Sequence, residues 1–379
     1  MKITKLFTAF FESEKSSGIL LVIVTIVSMI LANTSVGPEY TGFWHQPMGS
    51  HTLTEWINDG LMAIFFLLIG LELEREIYIG ELSDLRSASL PIFGAIGGMI
   101  VPAAIYLSLN MGTNTQDGAG IPMATDIAFA VGILSLLGSR VPVALKVFLT
   151  ALAVIDDLGA IIVIAIFYTK DLAIGYLFAA LGVWAFLFVL NRLKVYSLIP
   201  YLLGGVVMWY FMLHSGVHAT ITGVILAFVI PFGDGSETSI SYKLQEFLHH
   251  PVAFFILPVF ALANTCIPIE DGWQSGLLAT ASLGIILGLV VGKPLGIWAF
   301  AMLGCKAKLC GLPQGIRWKD IMGVGFLGGI GFTMSIFITL LAFDDDLIIN
   351  EAKMSILIAS VIAGTIGFFW LRSTLRRAT

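Results

Sequence analysis

Long apolar runs, separated by short polar or charged connections, organise the whole chain. A helix needs about 20 mostly apolar residues to cross a bilayer. Runs at 18–34, 55–77, 88–109, 121–137, 143–168, 172–190, 197–213, 216–231, 251–268, 273–304, 319–342 and 350–371 read as twelve such spans, of which 121–137 and 216–231 are short and interrupted. A short amphipathic helix (Leu6, Phe7, Phe10, Phe11) is expected in a cytoplasmic stretch 1–17 before the first span. That span is expected to be retained rather than cleaved, because Glu12 and Glu14 sit in what would be the n-region and no convincing A-x-A site follows. The outside segment 35–54 is longer than the other outside connections, and Gly49-Ser50 between His45-Gln46 and Thr52-Leu53-Thr54 predicts the turn of a small β-hairpin.

Composition adds the solvent. Of 379 residues, 58% are hydrophobic and 12% charged, against about 25% charged in ordinary soluble domains. Mean hydropathy is +0.95. Lipid must cover most of the surface, and twelve spans of about 20 residues leave no room for a separate soluble domain. The expected fold is an all-α polytopic membrane protein forming one domain over 1–379. The net charge of −5 gives no reason to expect a nucleic-acid partner. Cys266, Cys305 and Cys310 cannot form a disulfide framework. Cys305 and Cys310 have no histidine partners, a poor zinc signature, and all three read as packing or loop residues.

The distribution of charge orients the chain. With the N-terminus inside, seventeen of the twenty Lys and Arg residues fall in cytoplasmic pieces, Lys170 and Lys353 fall outside, and Lys293 lies within a span. A missed or extra helix would scramble that ratio, so the positive-inside rule supports twelve spans with both termini cytoplasmic. Outside connections are acidic instead: Asp117, Glu270, Asp271 and the run Asp344, Asp345, Asp346, read as a solvated face.

Four charges stand where they are costly. Asp126, Asp156, Asp157 and Lys293 lie inside otherwise apolar spans. At about 2.5–3.5 kcal/mol each they would cost roughly 10–14 kcal/mol if unpaired and ionised. They must be paired, protonated or in contact with water, and each option marks a working site. Adjacent helical residues point about 100° apart, so one of Asp156 and Asp157 is expected to pair with Lys293 and the other to meet an ion. A purely stabilising ion pair is the plainer reading, and it does not account for the third and fourth ionisable groups.

Two spans are expected to be broken. Pro122 and the polar Thr125-Asp126 make a poor start to a continuous helix, and 323–333 contains five glycines. Broken backbone is tolerated at membrane depth where it lines a cavity or is buried in protein; close packing by small residues is the plainer reading of the glycines. These are spans four and eleven. Spans three to five and ten to twelve run in opposite directions, which makes 88–168 and 273–371 candidate inverted repeats with two crossed, interrupted helices. Asp126 would then offset two positive half-helix ends and Lys293 two negative ones.

The stretches 124–130 (Ala-Thr-Asp-Ile-Ala-Phe-Ala), 153–160 (Ala-Val-Ile-Asp-Asp-Leu-Gly-Ala), 292–296 (Gly-Lys-Pro-Leu-Gly) and 331–335 (Gly-Phe-Thr-Met-Ser) resemble signature stretches of NhaA-type Na⁺/H⁺ antiporters, as does 65–72. The resemblance covers almost the whole chain. It implies exchange of Na⁺ or Li⁺ for protons in the inner membrane, serving pH homeostasis and salt tolerance. It implies Asp157 as the principal ion and proton carboxylate, Asp156 as its partner in titration and the salt-bridge mate of Lys293, and Thr125 and Asp126 as support for the site. It also implies a homodimer joined partly by the outside hairpin, and activity switched on at alkaline pH. Glu74, where the family often carries a basic residue, and Phe247, where some members have histidine, depart from the pattern at the cytoplasmic entrance associated with pH sensing. Glu72, Glu246 and His250 are the sensor candidates there. His218, at the start of span eight, reads as a packed or interfacial histidine, with tuning of the pH response as the alternative.

Burial disfavours the charged form of a side chain, so a carboxyl sunk in a span can alternate between holding a proton and holding a hard cation such as Na⁺. Competition for one site open alternately to each side suffices for exchange, with the ions as cargo and no cofactor. Two protons released per Na⁺ would make the cycle electrogenic, each net charge worth about 2.3 kcal/mol per 100 mV. The second proton belongs to Asp156 or Lys293. A cation-coupled solute symporter is the rival reading, although nothing in the sequence demands a large polar pocket. An intramembrane aspartyl protease needs carboxylates on different helices, whereas Asp156 and Asp157 are adjacent. A passive channel does not need buried acid–base pairs.

Overall fold

In lipid, backbone N–H and C=O groups find no water, so helix is the conformation that satisfies them within each segment. The computed structural model describes residues 5–169, 172–269 and 273–375, and the side chains of these apart from 5–15, 81 and 85–87. Lys2, Lys170, Glu270, Asp271, Arg376 and Arg377 lie outside the described residues, as do the side chains of Leu6, Phe7, Phe10 and Phe11. The described part is helical apart from one two-stranded hairpin.

Helix α1 (Lys5–Ala32) runs without interruption, so the expected amphipathic helix and first span are one element. The chain then bends through 119° into α2 (Gly37–Trp44), which carries Pro38 in its first turn. Strands β1 (Pro47–Met48) and β2 (His51–Thr52) pair antiparallel, Pro47 opposite Thr52 and Met48 opposite His51. Gly49, at φ +74°, makes the turn that joins them. Thr52 caps α3 (Leu53–Tyr78): its hydroxyl accepts from the Glu55 amide, and the Glu55 carboxylate accepts from the Thr52 amide.

There follow α4 (Leu85–Asn110), α5 (Ile127–Leu136), α6 (Val143–Phe167), α7 (Ile174–Arg192), α8 (Ile199–Leu213), α9 (Ile221–Ala227), α10 (Ile240–Asn264), α11 (Thr280–Lys306), α12 (Trp318–Gly328), α13 (Phe332–Ala342) and α14 (Asp346–Thr374). Among the described residues, eight helices are long and apolar enough to cross a membrane, or ten if each bent pair is one span. That is fewer than the twelve expected. The shortfall lies in α8, of 15 residues, and α9, of 7. Lys353, counted with the outside charges from sequence, is buried near the start of α14. Of the aspartate run, Asp345 caps α14 by accepting from the Leu347 and Ile348 amides.

Glycines set the closest helix contacts. A side chain on Gly97 of α4 would strike the Gly296 carbonyl of α11, and one on Gly296 would strike the Gly97 carbonyl, so the two backbones touch. Gly223 of α9 abuts the backbone of α3 at Ala63 and Leu67 in the same way. These crossings set α4 against α11 and α9 against α3 within one continuous apolar core.

Candidate functional site

The site forms where two helices fail. A 3₁₀ stretch, Gln116–Met123, contains Pro122 near its end, and the backbone extends at Ala124 before α5 begins at Ile127. Asp126 is the N-cap of α5, its Oδ1 accepting from the Phe129 amide at 3.0 Å. Far along the chain, α12 stops at Gly328, and α13 starts at Phe332 after a 49° bend.

The two breaks are bonded to each other. The Asp126 amide donates to the Ile330 carbonyl at 2.7 Å. Asp126 Oδ2 accepts from the Thr333 amide at 3.0 Å and from the Thr333 hydroxyl. One carboxylate thus caps two helices, at the positive end of each dipole. The Phe332 amide, also in the first turn of α13, donates to Ser360 Oγ at 3.2 Å. Ser335 Oγ donates to the Ile121 carbonyl at 2.7 Å, a second bridge between the broken segments.

Beside the breaks, α6 presents Asp156 and Asp157, and α11 presents Lys293 just after a π-helical turn, Gly288–Gly292. All three side chains are fully buried. Lys293 Nζ lies 2.8 Å from Asp156 Oδ2 and donates to the Met123 carbonyl. Thr125 Oγ1 is 2.8 Å from the same Asp156 oxygen and 2.9 Å from the Gly328 carbonyl. Its single hydroxyl hydrogen serves one of them at a time. Of the two negative helix ends, the lysine bonds the one at Met123, and Thr125 bonds the one at Gly328.

What remains is acceptor capacity. Asp157 Oδ1 and Oδ2 and Asp156 Oδ1 are buried and receive no hydrogen bond from the protein. Buried polar atoms without partners are rare and costly. The charges acting on Asp157 are those of Asp156, Asp126, Lys293 and Glu72. Three carboxylate oxygens lacking donors can take up protons or ligate a hard cation through oxygen. Among the described residues no group of three or more His, Cys, Asp or Glu is arranged to hold a metal ion, so any further ligands here would be hydroxyl or carbonyl oxygens.

The remaining candidates lie elsewhere. Glu72 is half-buried on α3, near Glu76 and Arg75. Glu246 and His250 are exposed on α10, where His250 stacks on Phe254. Glu74 is buried and hydrogen-bonded to Ser241, and Arg75 lies over the Tyr242 ring, so the end of α3 packs on the start of α10. His218 is half-buried and bonds through Nε2 to the Tyr168 carbonyl at 2.9 Å. Sequence reasoning missed Thr333 and the carbonyls of Met123, Gly328 and Ile330. Thr333, a polar residue two positions after the last glycine of the run, was the available signal.

A family model described as Na⁺/H⁺ antiporter 1 matches residues 8–371. A Flavobacterium johnsoniae protein named Na(+)/H(+) antiporter NhaA 1 is 68% identical over 372 residues, covering 98% of each chain. The Na(+)/H(+) antiporter NhaA of Flavobacterium psychrophilum is 64% identical over 376 residues, 99% of this chain and 98% of the relative. That of Escherichia coli O139:H28 is 50% identical over 379 residues, 97% of this chain and 98% of the relative.

Proposed function

Since the chain belongs to the Na⁺/H⁺ antiporter 1 family, we propose that it exchanges cytoplasmic Na⁺ or Li⁺ for external H⁺ by competition at Asp157 and Asp156. The observation that carries this reading is the set of three buried carboxylate oxygens that accept nothing from the protein. Asp156 divides its labour: Oδ2 is committed to Lys293 and Thr125, while Oδ1 is left for cargo. Asp157 commits neither oxygen and is the main carrier. Na⁺ displaces protons from these oxygens, and the loaded site then opens to the other side. Two protons per Na⁺ make the cycle electrogenic, so an inside-negative potential drives Na⁺ out.

The same reading has twelve crossings of the inner membrane, with both termini cytoplasmic. Spans four and eleven cross at their breaks, and the bond from the Asp126 amide to Ile330 supports that crossing. Segments 88–168 and 273–371 act as inverted repeats, a reading supported by the reciprocal contact of Gly97 with Gly296 between spans three and ten. Alkaline pH activates the protein through Glu72, Glu246 and His250 at the cytoplasmic end.

The test uses proteoliposomes with an imposed pH gradient and a lumenal pH dye. Na⁺ or Li⁺ should dissipate the gradient and K⁺ should not. Asp157→Asn should abolish the response while the protein still inserts. Full Na⁺-dependent proton movement in that variant would overturn the assignment.

A further inference from the structure

Two thiols meet far from the carboxylates. Helix α11 ends in a reversal: the Leu309 amide donates to the Gly304 carbonyl at 3.0 Å and the Lys308 amide to the Cys305 carbonyl at 3.1 Å. Lys308 adopts φ +60°, the left-handed conformation that turns a chain back on its own helix end. Cys310 therefore folds onto the last turn, where its sulfur and the Phe93 ring share the space that a side chain on Gly304 would need. Its Sγ lies 3.1 Å from Cys305 Sγ.

Cys305 and Cys310, both half-buried, are among the residues lining one open cavity of 680 Å³, walled by Leu90 and Pro91 of α4 and by Val147 and Phe148 of α6. Small polar molecules can reach them there. A disulfide bond is about 2.05 Å long, so closure asks the sulfurs to approach by about 1 Å.

We propose that Cys305 and Cys310 form a vicinal dithiol site that low-molecular-weight disulfides convert into an internal disulfide. The Cys305 thiolate attacks one sulfur of the oxidant, forming a mixed disulfide and expelling one thiolate. Cys310 then gives its proton to water and attacks the Cys305 sulfur, expelling the second thiolate. Two protein thiols are oxidised and one small disulfide is reduced to two thiols.

The order follows from the surroundings. Burial, together with the hydrogen bond and charge of Cys305, pushes the Cys310 thiol up to about 12. Cys305 is therefore assigned the first attack. In the mixed disulfide Cys305 carries no charge, so that part of the obstacle to ionising Cys310 is removed while burial remains. On the orientation proposed above, the site faces the cytoplasm, where thiols rest reduced. The bond then forms only under oxidative load, tying the connection into α12 to the end of α11.

The test is chemical and independent of transport. The purified full-length protein is treated with oxidised glutathione, alkylated and digested for mass spectrometry. The expected result is loss of two of the three alkylatable thiols, a 305–310 linkage carrying no glutathione, an alkylated Cys266, and reversal by dithiothreitol. Alkylation of all three cysteines after oxidation, or glutathione persisting on Cys305 beside a free Cys310, would overturn the proposal. In Cys310→Ser a stable glutathione adduct should accumulate on Cys305. An adduct no more abundant there than on Cys266 would also overturn it.

Discussion

Lys293 and Asp156 are fully buried and 2.8 Å apart. Removing one member of such a pair leaves the other charge in apolar surroundings, at a cost of about 3–5 kcal/mol. Lys293→Met should therefore lower thermal stability in detergent sharply, and Lys293→Met with Asp156→Asn should cost clearly less than the two single losses added. Strict additivity would mean that the pair is not coupled. Asp126 makes a second case. Loss of one N-cap costs about 0.5–2 kcal/mol, and Asp126 serves two helices, so Asp126→Ala should cost roughly twice one cap. Asp126→Asn, with a single acceptor oxygen, should fall between, as read by the same melts. At this scale the four buried charges were legible because each interrupts an apolar run. Which aspartate pairs with Lys293 depends on how α6 is rotated about its axis, and the sequence does not encode that locally. The carbonyls of Met123 and Gly328 belong to backbone that every residue carries, so no pattern announced them.

Elements were legible where hydropathy and hydrogen-bonded length coincide, as in α6 and α14, and the backbone leaves the helical conformation at Ala124 and again between Gly328 and Phe332. The fit fails at α8 and α9. An apolar window counts side chains, whereas a helix requires unbroken backbone bonding, and around 216–231 that bonding yields only the seven residues of α9. Gly223 lets that helix lie close against the backbone of α3. The same physics gives a prediction for α4 and α11. Gly296→Ala places a methyl group against the Gly97 carbonyl, which belongs to a backbone that cannot yield cheaply, so a loss of about 1–3 kcal/mol is expected. Gly175→Ala in α7, with open space around it, should be neutral or stabilising, by up to about 1 kcal/mol. Parallel melts of the two variants check this; equal effects would refute the close crossing.

For the whole molecule, the asymmetry of Lys and Arg supplied the orientation reading, and the hairpin at 47–52 is where a second copy is proposed to join. Deleting 47–52 should shift the detergent-solubilised protein from dimer to monomer in light scattering while exchange per protomer persists. A dimer that survives the deletion would relocate the interface. Clamping the membrane potential in proteoliposomes tests the proposed stoichiometry: an inside-negative potential should speed Na⁺ efflux, and indifference to potential would mean one proton per Na⁺.

The shared cap also bears on how the protein is made. Asp126 and Thr333 lie 207 residues apart, so the ribosome finishes the first broken segment long before it supplies the second. Until the later segment enters the bilayer, the early one has no Ile330 carbonyl for its amide and no Thr333 donors for its carboxylate. A nascent chain stalled before residue 330 must shelter that exposed polarity with water, lipid headgroups or insertion machinery, and the transporter's midpoint closes only near the end of synthesis.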